Sequence, residues 1–206
     1  MIYLSFDIEE FDMPKEYGFD IPFERQMSIS REGLTAILDL LQKHEAKATF
    51  FSTVVFAQNA SDLIQRLLSE GHELASHTYY HSDFAIEHLR SSKEALESQF
   101  GVSIEGLRMP RMLEVSATDV SQAGYSYNSS VNPTFLPGRY NKLQVPRALF
   151  REGDLWQIPA AVSPWRIPLF WLSFHNFPLW YYKYLLVRTI RSLGYAALYF
   201  HPWEFT

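Results

Sequence analysis

The chain has 206 residues and a mass of 24.0 kDa, enough to bury a sizeable core without disulfides or structural metal. Cysteine is absent, so disulfides, thiolate metal sites and cysteine nucleophiles are all excluded, and any metal must be held by His, Asp or Glu. With 47% hydrophobic and 20% charged residues the chain is not disordered, and a net charge of −5 argues against nucleic acid as a partner.

The first residues carry no basic segment followed by a long apolar run. No stretch of ~18 apolar residues occurs later. The expectation is one domain over residues 1–206 in the cytoplasm. In chain order, Ile2 to Phe6 is a short apolar run ending on acids, a buried strand. Residues 28–43 place Leu34, Ile37, Leu38 and Leu41 at helical spacing, with Ser30 as N-cap. Lys47 to Thr53 is β-branched and aromatic, a second strand. A helix capped by Asn59 or Ser61 runs through Leu67 and stops at Gly71. His72 to Ser76 is a strand, residues 84–100 a helix, and Gly106 to Met109 a short strand. Residues 116–123 form a short helix, and 125–154 a long irregular excursion. Leu155 to Ile158 and Tyr195 to Phe200 are strands flanking a helix over 178–193. Alternating strands and helices imply a mostly parallel sheet, as an open doubly wound sheet or a small barrel. No glycine-rich phosphate loop is present.

In such folds function gathers at the C-terminal strand ends. Four ends carry titratable or cationic groups: Asp7-Ile8-Glu9-Glu10, His77-Thr78-Tyr79-Tyr80-His81, Arg108-Met109-Pro110-Arg111 and His201-Pro202-Trp203-Glu204. His77 and His81, spaced i and i+4, would face the same way on one helical turn and could share a metal. Asp7 and Glu9 would point to one face if the strand reaches them. One could ligate the metal while the other takes a proton. The bland alternative places them in a solvated acidic loop with Asp12, Glu16 and Asp20. Arg108 could pair with a carboxylate and keep it ionised. His44, His72, His88 and His175 have no partnered motif.

In this order the motifs resemble the polysaccharide deacetylases, the NodB-homology or carbohydrate esterase 4 group. The carrying residues are Ser5-Phe6-Asp7-Ile8-Glu9, His77-Thr78-Tyr79-Tyr80-His81, Arg108-Met109-Pro110 and Leu198-Tyr199-Phe200-His201. Ala48-Thr49-Phe50-Phe51 and the closing Tyr199-Phe200-His201-Pro202-Trp203-Glu204 look like the family too. That ending is similar to a branch associated with bacterial exopolysaccharide and surface-glycan loci. The resemblance implies an irregular (β/α)7 barrel and a divalent metal, usually zinc, held by Glu9, His77 and His81. It implies Asp7 as base, Arg108 as its partner, His201 as general acid and the backbone N–H of Arg111 as oxyanion donor.

Three departures stand out. The family's adjacent Asp-Asp is here Asp7-Ile8-Glu9, its aromatic-Gly after Arg-x-Pro is Arg111-Met112, and its Asp-x-x-Asp-Trp segment has only an echo in Asp154-Leu155-Trp156. The implied activity is removal of an N-acetyl or other N-acyl group from an amino sugar of a surface polysaccharide or its lipid-linked precursor. The rivals are a deformylase or non-sugar amidase of the same superfamily, and a glycan-binding relative without turnover.

Residues 155–206 carry one acid, Glu204, and four bases. Within 164–191 nine aromatic rings stand among Arg166, Lys183, Arg188 and Arg191. The plain reading packs these rings in a helix and loop. The sharper one is a peripheral contact with anionic lipid at the inner face of a membrane.

Overall fold

The computed structural model describes residues 1–206, the side chain of Glu16 excepted. In chain order the elements are β1 (Ile2–Ile8), α1 (Met13–Glu16), α2 (Phe23–Lys43), β2 (Ala48–Ser52), α3 (Val54–Asn59), α4 (Ser61–Ser69), β3 (Glu73–Ser76), α5 (His88–Phe100), β4 (Gly106–Leu107), α6 (Ala117–Gln122), β5 (Tyr127–Asn128), β6 (Phe135–Leu136), β7 (Tyr140–Asn141), β8 (Phe150–Glu152), β9 (Leu155–Gln157), α7 (Trp171–Asn176), α8 (Leu179–Leu193) and β10 (Ala196–Phe200).

One sheet has the order β10-β1-β2-β3-β4-β5-β9-β8. Its first seven strands are parallel, and β8 pairs antiparallel with β9. The order advances in one direction, without the reversal that defines a doubly wound sheet. The sheet curls into an incomplete barrel, so the expected seven-stranded parallel barrel is present with an antiparallel edge added. Among the described residues no ladder joins β8 to β10. Leu149 N–H donates instead to Tyr195 Oη at 2.6 Å across that gap.

Side chains alternate across each strand with period two. On β1, β2 and β10 the outward set includes Phe6, Ile8, Phe50, Leu198 and Phe200, which join the main core. Phe6 stacks on Phe50 at 5.3 Å. Helix α2 covers this face with Leu34, Ile37, Leu38 and Leu41, all buried. Each such side chain contributes about 1.5–3 kcal/mol on burial. The inward set is different: Ser5 and Asp7 on β1, Thr49 and Phe51 on β2, Ala197 and Tyr199 on β10. Polar and small residues therefore stand inside the curl.

Several boundaries differ from the sequence reading: the helix expected over 84–100 begins at His88, and the one expected to be capped by Asn59 or Ser61 has Ala60 as its N-cap, with Asn59 ending α3 and Ser61 opening α4. Helix α2 starts at Phe23, with Pro22 as N-cap, and Ser30 lies buried inside it. Pro22 has φ −58°, already suited to helix entry, and buried Gln26 and Met27 extend the apolar face by a further turn. A short extra helix, α3, follows β2; its N-cap Thr53 accepts from Phe56 N–H at 3.1 Å. The excursion over 125–154 is not wholly irregular. It supplies β5 and β8 to the main sheet and folds β6 and β7 into a small hairpin.

Helix α2 also fixes the end of the chain. Gly33 faces the Pro202 carbonyl so closely that a Cβ there would overlap it. Glycine thus lets the 3-10 turn Pro202–Phe205 lie flat on α2. That turn begins directly after His201.

Candidate active site

The parallel register brings the strand ends to one level: Asp7 pairs with Phe51, Ser52 with Ser76, Ser76 with Leu107 and Phe6 with Phe200. The residues just beyond these positions meet in a pocket of about 290 Å³. Its lining includes Asp7, Glu9, His77, His81, Arg111 and His201.

Asp7 is inward-facing and buried. Its Oδ1 accepts from Arg108 Nη1 at 2.6 Å. Arg108 Nη2 donates to Ser5 Oγ and Ser129 Oγ, and Nε to the Ser129 carbonyl. The guanidinium lies 4.1 Å from the Phe51 ring centroid. Four of the five N–H groups of this buried cation thereby have acceptors. Burial, the largest single influence, would raise the Asp7 pKa, but the Arg108 charge and hydrogen bond together with the His77 and His201 charges outweigh it, and Asp7 is held below the usual carboxylate range. Two residues on, Glu9 faces the same side, as strand alternation requires.

His77 and His81 meet at Glu9. His77 Nε2 lies 3.0 Å and His81 Nε2 3.3 Å from Glu9 Oε2. Their rings are stacked 6.0 Å apart. The helical turn expected between them is absent: the segment is extended and bent, with Thr78 in the left-handed region at φ 65°. The Ser76 hydroxyl accepts Thr78 N–H at 3.2 Å and steadies that bend.

The other ring nitrogens decide what this cluster is for. His77 Nδ1 lies 2.7 Å from the Arg108 carbonyl, a group that can only accept. His81 Nδ1 lies 2.6 Å from Asp12 Oδ1. Both Nδ1 atoms therefore donate, and in the neutral rings both Nε2 lone pairs point at Glu9. Glu9 Oε2 is buried with no hydrogen-bond partner. Two lone pairs and an anionic oxygen within 4.8 Å of one another repel unless a cation joins them. This donor set of two imidazoles and one carboxylate fits a divalent metal. Without one, burial lowers the His81 pKa but Glu9 and Asp12 outweigh it, pushing it up to about 9. A metal would compete with that proton.

Two supporting residues escaped the sequence reading. Asp12 and Glu10 are not in a solvated loop; both are buried. Asp12 orients His81, and Ser82 Oγ also donates to it. Glu10 accepts from the His81 backbone N–H at 3.2 Å and from Thr53 Oγ1 at 2.7 Å. The third surprise is Glu204. Its Oε1 accepts the backbone N–H of His201 at 2.6 Å and lies 3.1 Å from His201 Nδ1. Its Oε2 lies 2.9 Å from His175 Nε2, which gives His175 a partner as well. Glu204 thus holds His201 from its own C-terminal turn. Its signal was the i, i+3 spacing from His201 across Pro202, a capping arrangement.

His201 Nε2 lies 3.9 Å from Asp7 Oδ2. Its ring stacks on Trp203 at 5.1 Å and meets Trp171 edge-on. Burial lowers its pKa, but the Glu204 hydrogen bond and the Glu9 and Asp7 charges outweigh it, and the net shift is upward. Arg111 stands in the pocket wall, donating to Ser82 Oγ at 2.9 Å. Its backbone is left-handed at φ 53°, as is Met112 at φ 54°, a costly conformation for two successive non-glycine residues. Trp171, Trp203, Tyr140, Phe170 and Tyr199 add aromatic rings to the wall.

The family model described as polysaccharide deacetylase matches residues 1–127. A chitooligosaccharide deacetylase from Rhizobium leguminosarum bv. phaseoli is 34% identical over 109 residues, 47% of this chain and 48% of that protein. One from Bradyrhizobium sp. (strain ANU 289) is 43% identical over 49 residues, 24% of this chain and 22% of that protein. The chain spans less than half the length of the curated relatives it matches. In fold it is similar to the Puue allantoinase, with 16% identity, a TM-score of 0.69, and coverage of 98% of this chain and 77% of that one. With the strand-end motifs assembled in one pocket and the family model covering more than half of the sequence, the chain belongs to the polysaccharide deacetylase family.

Proposed function

We propose that this protein is a metal-dependent hydrolase that removes the N-acetyl group from an amino sugar within an oligosaccharide or polysaccharide. The carrying observation is the convergence of Glu9 Oε2 with two Nε2 lone pairs, flanked by the Asp7–Arg108 pair and by His201. Glu9, His77 and His81 would hold the ion, with zinc the usual choice for such ligands. Such an ion would supply Lewis-acid chemistry at this site, making water more acidic and an amide carbonyl more electrophilic.

The chain's own groups do the rest. Asp7, kept ionised by Arg108, accepts the proton of the attacking water. His201 is held by Glu204 with a hydrogen on Nδ1. Its raised pKa favours the imidazolium, whose Nε2 proton goes to the departing nitrogen. That transfer is needed because an amine is a poor leaving group unless protonated. The Arg111 N–H would donate to the developing oxyanion, which gives the strained backbone at 111–112 a purpose. The aromatic walls suit sugar rings, whose apolar faces pack on Trp and Tyr. Two relatives named chitooligosaccharide deacetylase support an N-acetylated sugar as the substrate class.

The test is acetate release from N-acetylated sugar oligomers by protein loaded with zinc, beside a panel of non-sugar amides. Release from sugar oligomers supports the reading. Release only from the non-sugar amides would make it an amidase of another substrate class. Zinc and glycan binding without release from any substrate would make it a binding relative.

A further inference from the structure

Helix α8 has two unlike faces. Tyr182, Leu185 and Thr189 are buried against the barrel. The opposite side exposes Leu179 (53%), Trp180 (73%), Tyr184 (48%) and Val187 (45%). Trp180, Tyr184, Val187 and Arg191 fall at i, i+4, i+7 and i+11, one stripe of a helix. Lys183, Arg188 and Arg191 are exposed along it. Trp165, 55% exposed, flanks the stripe from the preceding loop, stacked 6.4 Å from Tyr184 with Arg188 5.8 Å over its ring. A solvated helix face ordinarily mixes both signs of charge and few large apolar groups. Here residues 155–203 hold no acid, and Glu204 is buried beside His201.

The topology places this face relative to the pocket. Gly194, just past α8, receives the amino group of Met1 at 2.9 Å, so the helix ends beside the start of β1. Its first turn, with Leu179 and Trp180, therefore lies at the other end of the barrel, where the pocket opens. Leu172 of α7, the helix just before α8, is part-exposed and lines the pocket.

We infer that the outer face of α8, with Trp165, docks reversibly on an anionic lipid surface and holds the pocket mouth near it. Charge complementarity selects the occupant: uncompensated cations call for an anionic partner, and Trp and Tyr rings beside them fit headgroup depth. This inference is independent of the reading of the site, because vesicle binding needs neither metal nor turnover.

The experiment is co-sedimentation of the full chain with vesicles of phosphatidylcholine alone, or with an equal part of phosphatidylglycerol, at low salt and at ~1 M salt, where the Debye length falls to ~3 Å. Binding is expected to the anionic vesicles at low salt, with loss at high salt and little binding to phosphatidylcholine. Lys183→Gln, Arg188→Gln and Arg191→Gln should each weaken it about fivefold. Trp180→Ala should weaken it with no change in the melting temperature. In wild type, tryptophan emission should shift to shorter wavelength on binding. No anionic preference at low salt overturns the inference. So does binding that Trp180→Ala and Arg191→Gln leave unchanged. Self-association that Trp180→Ala dissolves, without vesicle binding, would instead assign the face to a second copy of the chain.

Discussion

Glu204 grips His201 at two points, accepting its backbone N–H at 2.6 Å and lying 3.1 Å from its Nδ1. The contact fixes both the ring's rotation and the nitrogen that carries hydrogen. Groups that orient a functional ring are worth about 10–100-fold. Glu204→Gln should therefore lower kcat for amide hydrolysis by about that factor, with little change in KM. Because the Glu204 hydrogen bond and charge raise the His201 pKa, the alkaline limb of the activity profile should move to lower pH. An unchanged limb with full kcat would return Glu204 to a purely structural role.

The metal reading separates ligands from their supports. Glu9→Ala or His77→Ala should abolish zinc retention, because two remaining donors hold the ion poorly. Asp12→Asn keeps all three donors but weakens the acceptor that holds His81 Nδ1. Its zinc affinity should drop about 10–100-fold. Metal analysis after equilibrium dialysis reads both. Full occupancy in Glu9→Ala would require a different ligand set.

Asp7 and Arg108 are both buried and joined at 2.6 Å. Asp7→Asn should retain zinc and lose about 10²–10⁴-fold in turnover, since an amide cannot take the proton. Arg108→Met leaves the Asp7 charge buried without its partner and should destabilise the fold by about 3–5 kcal/mol. Urea unfolding measures the second effect. A loss below ~1 kcal/mol would mean that water reaches Asp7.

Gly33→Ala tests how the C-terminal turn is seated. The new methyl would overlap the Pro202 carbonyl, so the turn must move away from α2, carrying His201 and Glu204. Overpacking of this kind costs about 1–3 kcal/mol. Activity should fall more than that loss of stability explains, while zinc affinity stays near wild type because Glu9, His77 and His81 lie elsewhere. Wild-type kcat in this variant would show that the turn tolerates the shift.

His72 sets one part of the acid response. It is buried, accepts Ala48 N–H at Nδ1 and meets the Phe50 ring edge-on. Burial, helped by Lys47, lowers its pKa below the ordinary value. The unfolded chain, with a His pKa near ~6.5, then binds the proton more readily than the folded one. Stability should therefore fall as pH drops from ~6.5 towards the folded value. Thermal melts at pH 7.5 and 5.5 should show a smaller pH difference in His72→Asn than in wild type. Equal differences would place that acid sensitivity in another group.

The fold and the site were legible in the sequence to different depths. Strand and helix alternation predicted the parallel sheet, because strands buried on both faces read as continuous apolar runs such as Ala196 to Phe200. Period-two alternation foresaw that Asp7 and Glu9 share a face. Spacing also singled out His77, His81, Arg108 and His201, since each follows a recognisable strand. What the sequence could not decide depends on contacts between distant segments. A linear reading leaves Asp12 among other acids, and only the approach of the 77–82 loop buries it against His81. Glu204 becomes the support of His201 only because Gly33 lets the last turn lie on α2. Exposure of Trp180 likewise follows from which face of α8 the barrel covers. Local patterns are set by the chain's own periodicity. Which polar groups lose water and find partners is set by packing, and tertiary structure alone determines that.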